Sequence, residues 1–166
     1  MTPGHPAALG DAALRAQCDE RRTRGSGPGG QHRNKVETKV VLVHRPTGIT
    51  SQAGERRSQE ENRRMATKRL RFALAVGVRR PAGPPSALWR SRVRNGRVSC
   101  SPSHEDFPAL LAEALDALAA AAFDPPTAAH ALGCTPTQLV RFLADHPPAL
   151  VALNAARATR GLHPLR

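Results

Sequence analysis

Tyrosine is absent from the 166 residues, and tryptophan and phenylalanine contribute only one and four. So few rings argue against the stacking platforms by which single-strand binders and RNA-recognition sheets hold bases. Cysteine is scarce as well. Cys18, Cys100 and Cys134 are odd in number and widely spaced, which argues against a disulfide scaffold and makes a reducing cytosol the expected compartment. No run approaches the ~20 apolar residues that a membrane span needs, so no membrane partner is expected. The opening residues include Pro3, Gly4, His5, Pro6 and Asp11 without a sustained apolar stretch, so no secretory signal is expected either. The last shortage is of acid: 13 Asp and Glu stand against 25 Lys and Arg, a formal net charge of +12.

That excess is unevenly placed. Residues 1–80 carry 17 basic and 7 acidic side chains, residues 81–100 carry four arginines and no acid, and residues 101–166 carry four basic against six acidic. A field of this shape favours a polyanion, most simply nucleic acid, held through phosphates. Of the 25 cations 22 are Arg, whose planar fork suits phosphate. A composition rich in Ala, Arg, Gly and Pro explains the choice of Arg over Lys equally well, but it does not explain the asymmetry. The length allows one domain or two small ones.

The pattern divides the chain at about 11–78, 79–100 and 101–166. In the first part Asp11 can cap a short helix over 12–17, and residues 18–24 can be extended. Gly25-Ser26-Gly27-Pro28-Gly29-Gly30 excludes regular structure. Val40-Val41-Leu42-Val43 is a strand, turned by Pro46-Thr47-Gly48 and returned antiparallel by residues 49–52. Ser58 and Glu61 form a capping box for a helix over 59–76, whose Ala66, Leu70, Ala73 and Leu74 share one face. The second part reads as a Pro/Arg-rich linker, with strands over 89–94 and 97–100 flanking the type I′ turn dipeptide Asn95-Gly96. The third is helical. It has an apolar stripe from Phe107 to Leu118, then a pair of capped helices within 124–144, a break at Pro147-Pro148, and a last helix over 149–160.

Chemistry concentrates at the glycine cluster. Glycines let backbone approach a crowded reactive centre, and Gln31 adds a neutral amide and a backbone N–H suited to orienting water or stabilising an oxyanion. Arg24, Arg33 and Lys35 flank it and can grip phosphate. An imidazole titrates near neutrality in general, but no acid lies close in sequence to orient His32 as a base. His130 and Cys134 are separated by a helix end and lack a second ligand pair, so no metal site is expected.

The run from Arg24 through Gly29-Gly30-Gln31-His32-Arg33-Asn34-Lys35 to Thr38 closely resembles the signature of class I peptide chain release factors. The resemblance continues through residues 41–49 and Arg57-Ser58-Gln59-x-x-Asn62, covering about 14–76; Gly25 departs from it, the family more often having Ser there. It implies a small α+β domain, a short antiparallel sheet with a packed helix, and the helical pattern of residues 101–166 adds an all-α module, so the fold class expected is α+β. It implies hydrolysis of the peptidyl-tRNA ester at the ribosome, with catalytic Gly29, Gly30 and Gln31 and no metal or organic cofactor. The expected contacts to large-subunit ribosomal RNA and peptidyl-tRNA are Arg24, Arg33, Asn34, Lys35, Arg57, Gln59, Arg63, Arg64, Lys68 and Arg69. Beyond the resemblance, Arg90, Arg92, Arg94 and Arg97 of the Arg ribbon are read either as further RNA contacts or as a solvated hairpin face.

Only 28 residues precede Gly29, so a factor that rescues ribosomes without reading a stop codon, with the messenger channel as a further contact, is expected in the cytoplasm. Two other readings stand beside it. One is a non-catalytic ribosome- or RNA-binding protein that keeps the fold. The other is a helix-turn-helix regulator built on 124–144, for which Arg141 is the sole cation of the second helix, so DNA is not the expected partner.

Overall fold

The computed structural model describes residues 4–23 and 38–166. Gly29, Gly30 and Gln31, together with Arg24, Arg33, Asn34 and Lys35, lie outside the described residues. The chain forms two units, 1–77 and 78–166.

In the first unit a 3-10 turn, Pro6–Ala8, precedes helix α1 (Asp11–Ala16). Gly10, not Asp11, takes the N-cap position, and Asp11 lies in the first turn, where its charge still complements the helix N-terminus. Strand β1 (Cys18–Thr23) pairs antiparallel with β2 (Lys39–His44), and β2 pairs antiparallel with β3 (Thr50–Ala53). The valine run makes β2 the central strand. Val40, Leu42 and His44 are buried on one face while Val41 and Val43 are half-buried on the other, as the two-residue period of a strand requires. Gly48 takes φ +71° in the turn that follows.

Helix α2 (Gln59–Gly77) begins as the capping box dictates, with the Glu61 N–H donating to Ser58 Oγ at 3.4 Å. It lies on β2 and β3 and buries Ala66, Leu70 and Leu74. Ala73, placed on the same face by its spacing, is half-buried. Ser51 Oγ of β3 donates to Ala66 O at 2.8 Å, joining sheet to helix through polar atoms.

The second unit begins differently from its sequence pattern. Residues 87–92 form a helix, α3 (Ala87–Arg92), where a strand was expected. Ser86 explains the difference: its Oγ accepts from the Trp89 N–H at 3.0 Å, starting a helical turn that carries Trp89 into the core. Only Val93–Arg94 (β4) and Arg97–Val98 (β5) are left to pair around the type I′ turn, with Asn95 at φ +50° and Gly96 at φ +74°. Residues 79–100, read from sequence as a linker and hairpin, belong to the second unit.

Helices α4 (Phe107–Ala120), α5 (Pro125–Leu132), α6 (Pro136–Ala144) and α7 (Pro147–Ala158) complete it. Asp124 caps α5 through the Thr127 N–H, Gly133 ends α5 at φ +69°, and Thr135 caps α6 through the Gln138 N–H. Pro147-Pro148 does not break the chain; it opens α7, because the first turn of a helix needs no N–H from those positions. Trp89 is the hub. Its ring meets Phe142 edge-on at 5.9 Å, Phe142 meets Phe107 at 4.7 Å, and its indole N–H donates to Leu132 O at 2.8 Å.

Candidate functional site

The glycine cluster lies in sequence between Thr23, the last residue of β1, and Lys39, the first of β2. These two residues are register partners, so both ends of the segment are held at one edge of the β1–β2 ladder. Three side chains secure that edge.

Asn62 is fully buried in the first turn and a half of α2. Its amide nitrogen donates to Thr38 O at 2.7 Å and to Arg56 O at 2.9 Å, and its Oδ1 accepts from the Arg56 N–H at 2.9 Å. One side chain thus ties together the start of β2, the loop before α2 and the helix itself. No charged or apolar side chain of that size offers both donor and acceptor, and this is why an amide suits the position.

Arg63 spans from α2 to β1. Its Nε and Nη2 reach the two oxygens of Glu20 at 2.8 and 2.9 Å, and Nη1 donates to Glu60. The bidentate fork holds the Glu20 carboxyl below its ordinary range and raises the Arg63 pKa, so the pair stays ionised. Arg69 is engaged likewise, with Nη1 on Gln52 O at 2.7 Å and Nη2 on Glu55, whose carboxyl is lowered to about 2 chiefly by that hydrogen bond.

The cations expected on this helix therefore divide. Arg63 and Arg69 are donors to acids and carbonyls of their own unit. Arg64, with 76% of its side chain exposed, keeps one longer contact of 3.5 Å to Glu60, and Arg57 and Lys68 are exposed, while Gln59 is half-buried at the helix start. At the far end of β2, His44 is buried between Thr47 Oγ1 at 2.7 Å and Gln17 Oε1 at 3.0 Å; burial and then neighbouring Arg45 lower its pKa. The neutral ring fits this slot: Nε2–H donates to Gln17 and Nδ1 accepts from the Thr47 hydroxyl.

Asn62 and Glu20 were not among the residues that sequence reasoning singled out. The signal for Asn62 was present in the spacing Arg57-Ser58-Gln59-x-x-Asn62. Glu20 gave none, because its partner lies 43 positions away.

In the second unit the Arg ribbon also divides. Arg92 Nη2 donates to Asp106 Oδ2 at 2.5 Å and lies 3.2 Å from His104 Nε2. Arg90, Arg94 and Arg97 are exposed. Cys134, half-buried, has its thiol pushed up to about 11 by burial, whereas His130 is exposed.

Comparison with known proteins joins this geometry to a family. The RF-1 domain model matches residues 14–95, covering the whole β1–β2–β3–α2 framework and running on through α3 to the hairpin turn. An uncharacterized mitochondrial peptide chain release factor-like protein of Saccharomyces cerevisiae is 48% identical over 64 residues, 38% of this chain and 41% of the relative. Peptide chain release factor 2 of Variovorax paradoxus is 55% identical over 51 residues, 31% of this chain and 14% of that protein. A mitochondrial peptide chain release factor 1-like protein of Rattus norvegicus is 51% identical over 51 residues, again 14% of its length. The chain thus spans well under half the length of these relatives. Residues 14–95 match the RF-1 domain, and this part of the chain is similar to peptide chain release factors.

Proposed function

We propose that the chain acts in translation termination, promoting hydrolysis of the ester between a nascent peptide and transfer RNA on the ribosome, and that it does so without reading a stop codon. The supporting observation is the position of Gly29-Gly30-Gln31. The triplet falls inside the matched RF-1 span, on a segment whose ends are the paired Thr23 and Lys39.

In this reading water attacks the ester carbonyl carbon. The bond to the ribose oxygen breaks, and that oxygen leaves as the transfer-RNA hydroxyl after gaining a proton. The Gln31 backbone N–H stabilises the developing oxyanion and leaving oxygen, and its side-chain amide positions the water. Gly29 and Gly30 supply a backbone without side chains where the centre is crowded. Ribosomal RNA and transfer RNA complete the site, so the reading calls for no metal or organic cofactor. Arg24, Arg33, Asn34 and Lys35, with exposed Arg57, Arg64 and Lys68, contact large-subunit RNA, and Gln59 lies beside them at the start of α2. Arg63 and Arg69 serve the same surface indirectly, by holding helix to sheet. Rescue of stalled ribosomes in the cytoplasm is the setting proposed.

The experiment is release of labelled peptide from ribosomes stalled without a stop codon. Gln31→Pro, which deletes the backbone N–H, should lose about 100-fold or more in rate, the scale on which a single oxyanion donor matters. Gln31→Ala keeps that N–H and should lose less. Wild-type protein that binds these ribosomes yet releases nothing above background would favour the non-catalytic reading.

A further inference from the structure

Four arginines alternate through Arg90, Arg92, Arg94 and Arg97, and the second unit uses them unequally. Arg92 is committed to Asp106 inside the unit. Arg94 and Arg97 are direct register partners across the two-residue ladder β4–β5, and both are exposed. The other pair of the ladder, Val93 with Val98, takes the inner face, and Val98 is buried. Two like charges directly opposite on a strand pair destabilise it. A hairpin with only one other residue pair has little ladder with which to offset that repulsion.

Among the described residues neither Arg94 nor Arg97 is engaged in an ion pair that would relieve it. The hairpin is fixed against the α5–α6 turn: the Thr135 N–H donates to Gly96 O at 3.0 Å. Gly96 packs so closely that an added Cβ would lie 3.1 Å from Thr135 Cγ2. One turn earlier, Trp89 anchors α3 to the end of α5 through Leu132 O. Between these two anchors lies an open cleft of about 310 Å³, lined by Arg90, Val93, His130 and Gly133 among others and by no acidic side chain. Arg90 is exposed, and one of its donors reaches Pro85 O at 2.8 Å, a carbonyl and not a carboxylate.

We propose that the face presented by Arg90, Arg94 and Arg97 beside the α5–α6 turn is a docking surface for the phosphate backbone of RNA. Phosphate between opposed guanidinium forks removes the repulsion that the bare hairpin carries. Among the described residues no exposed Trp or Phe ring stands beside the arginines, since Trp89 and Phe142 are buried, so recognition is chiefly of backbone. The choice of RNA over DNA rests on the proposed ribosomal function. The face itself stands on the hairpin geometry.

The test uses the full chain with a fluorescein-labelled 20-base-pair RNA duplex, titrated at several salt concentrations. Arg94→Gln and Arg97→Gln should each weaken binding and flatten the plot of log affinity against log salt by about one unit, as loss of a phosphate contact does. Arg92→Gln should leave that slope unchanged.

The same Arg97→Gln protein, free of RNA, should melt about 1–3 °C higher, because one of two opposed charges is gone. A merely structural arginine would lower it. Wild-type affinity and slope in both variants, or an Arg97→Gln protein that melts lower, overturns the proposal. Tighter binding to a DNA duplex of equal length overturns the choice of RNA. Peptide release is measured in parallel. Release without arginine-dependent binding sinks this face alone, and arginine-dependent binding without release sinks the proposed reaction alone.

Discussion

The two units are built from opposite materials. In the 1–77 unit every fully buried apolar side chain among the described residues is aliphatic, and the framework is finished with polar atoms: Asn62, His44, Ser51 and the Arg63–Glu20 fork. In the 78–166 unit three packed rings, Trp89, Phe107 and Phe142, organise leucine-rich helices. A polar framework is directional, so it fixes the start of β2 at Thr38 and ties helix to sheet. An aromatic hub works mainly through packed area, with the indole N–H as its directional bond, and it suits bringing helices and a short hairpin together. The first unit is built around where a segment leaves and returns, and the second around a packed centre.

Removing the hub breaks the comparison most severely. Trp89→Ala should cost the second unit about 3–5 kcal/mol, the scale of a large aromatic deletion, while leaving the unfolding transition of the first unit where it was. Calorimetry of the full chain resolves the two; a shift of both together would mean that the units do not unfold separately. Next comes the polar counterpart. Asn62→Ala strands Thr38 O and both backbone groups of Arg56, and should cost the first unit about 1–3 kcal/mol by urea denaturation. Peptide release should fall with it, because Thr38 closes the segment that bears Gln31.

Ser86→Ala tests a smaller element. It removes the cap of α3 and the hydroxyl bond to Glu113, leaving the backbone N–H of residue 86 on that carboxylate, and should cost the second unit about 1 kcal/mol. The smallest effect is one of pH. Burial lowers the pKa of His44 in one unit and of His146 in the other. The unfolded imidazole takes its proton near pH 6.5 while the folded one is still neutral, so each contributes stability above that pH and loses it as pH falls below. His44→Gln should flatten this decline in the first unit only, and ring-proton resonances should show both histidines titrating below 6.5.

Local chemistry was legible in the sequence wherever a residue's partner is near in the chain. Ser58 with Glu61, Asp124 with Pro125, and Thr135 with Gln138 mark their helices because the cap and the N–H it accepts are three residues apart. Asn95-Gly96 marks its turn because few other residues accept positive φ twice in succession.

The same turn misled about its flanks. It implied long strands, but Ser86 captures the preceding residues for a helix and Trp89 has a buried slot that only the helix reaches. Pro147-Pro148 misled for a related reason, since proline stops a helix from within and starts one from its first turn. The division of the arginines was hidden altogether. Whether Arg63 faces RNA or Glu20 depends on the β1–β2 register, and whether Arg92 or Arg94 meets Asp106 depends on where α3 ends. Gly29-Gly30-Gln31 is read as chemistry from its residue types and their order alone, because it lies outside the described residues.

Peptide release from ribosomes stalled without a stop codon, comparing wild type with Gln31→Pro, tests the central claim most directly. Rapid release by wild type and a loss of about 100-fold or more in the variant is the predicted result. Equal rates for the two proteins, with both bound to the ribosome, would contradict it.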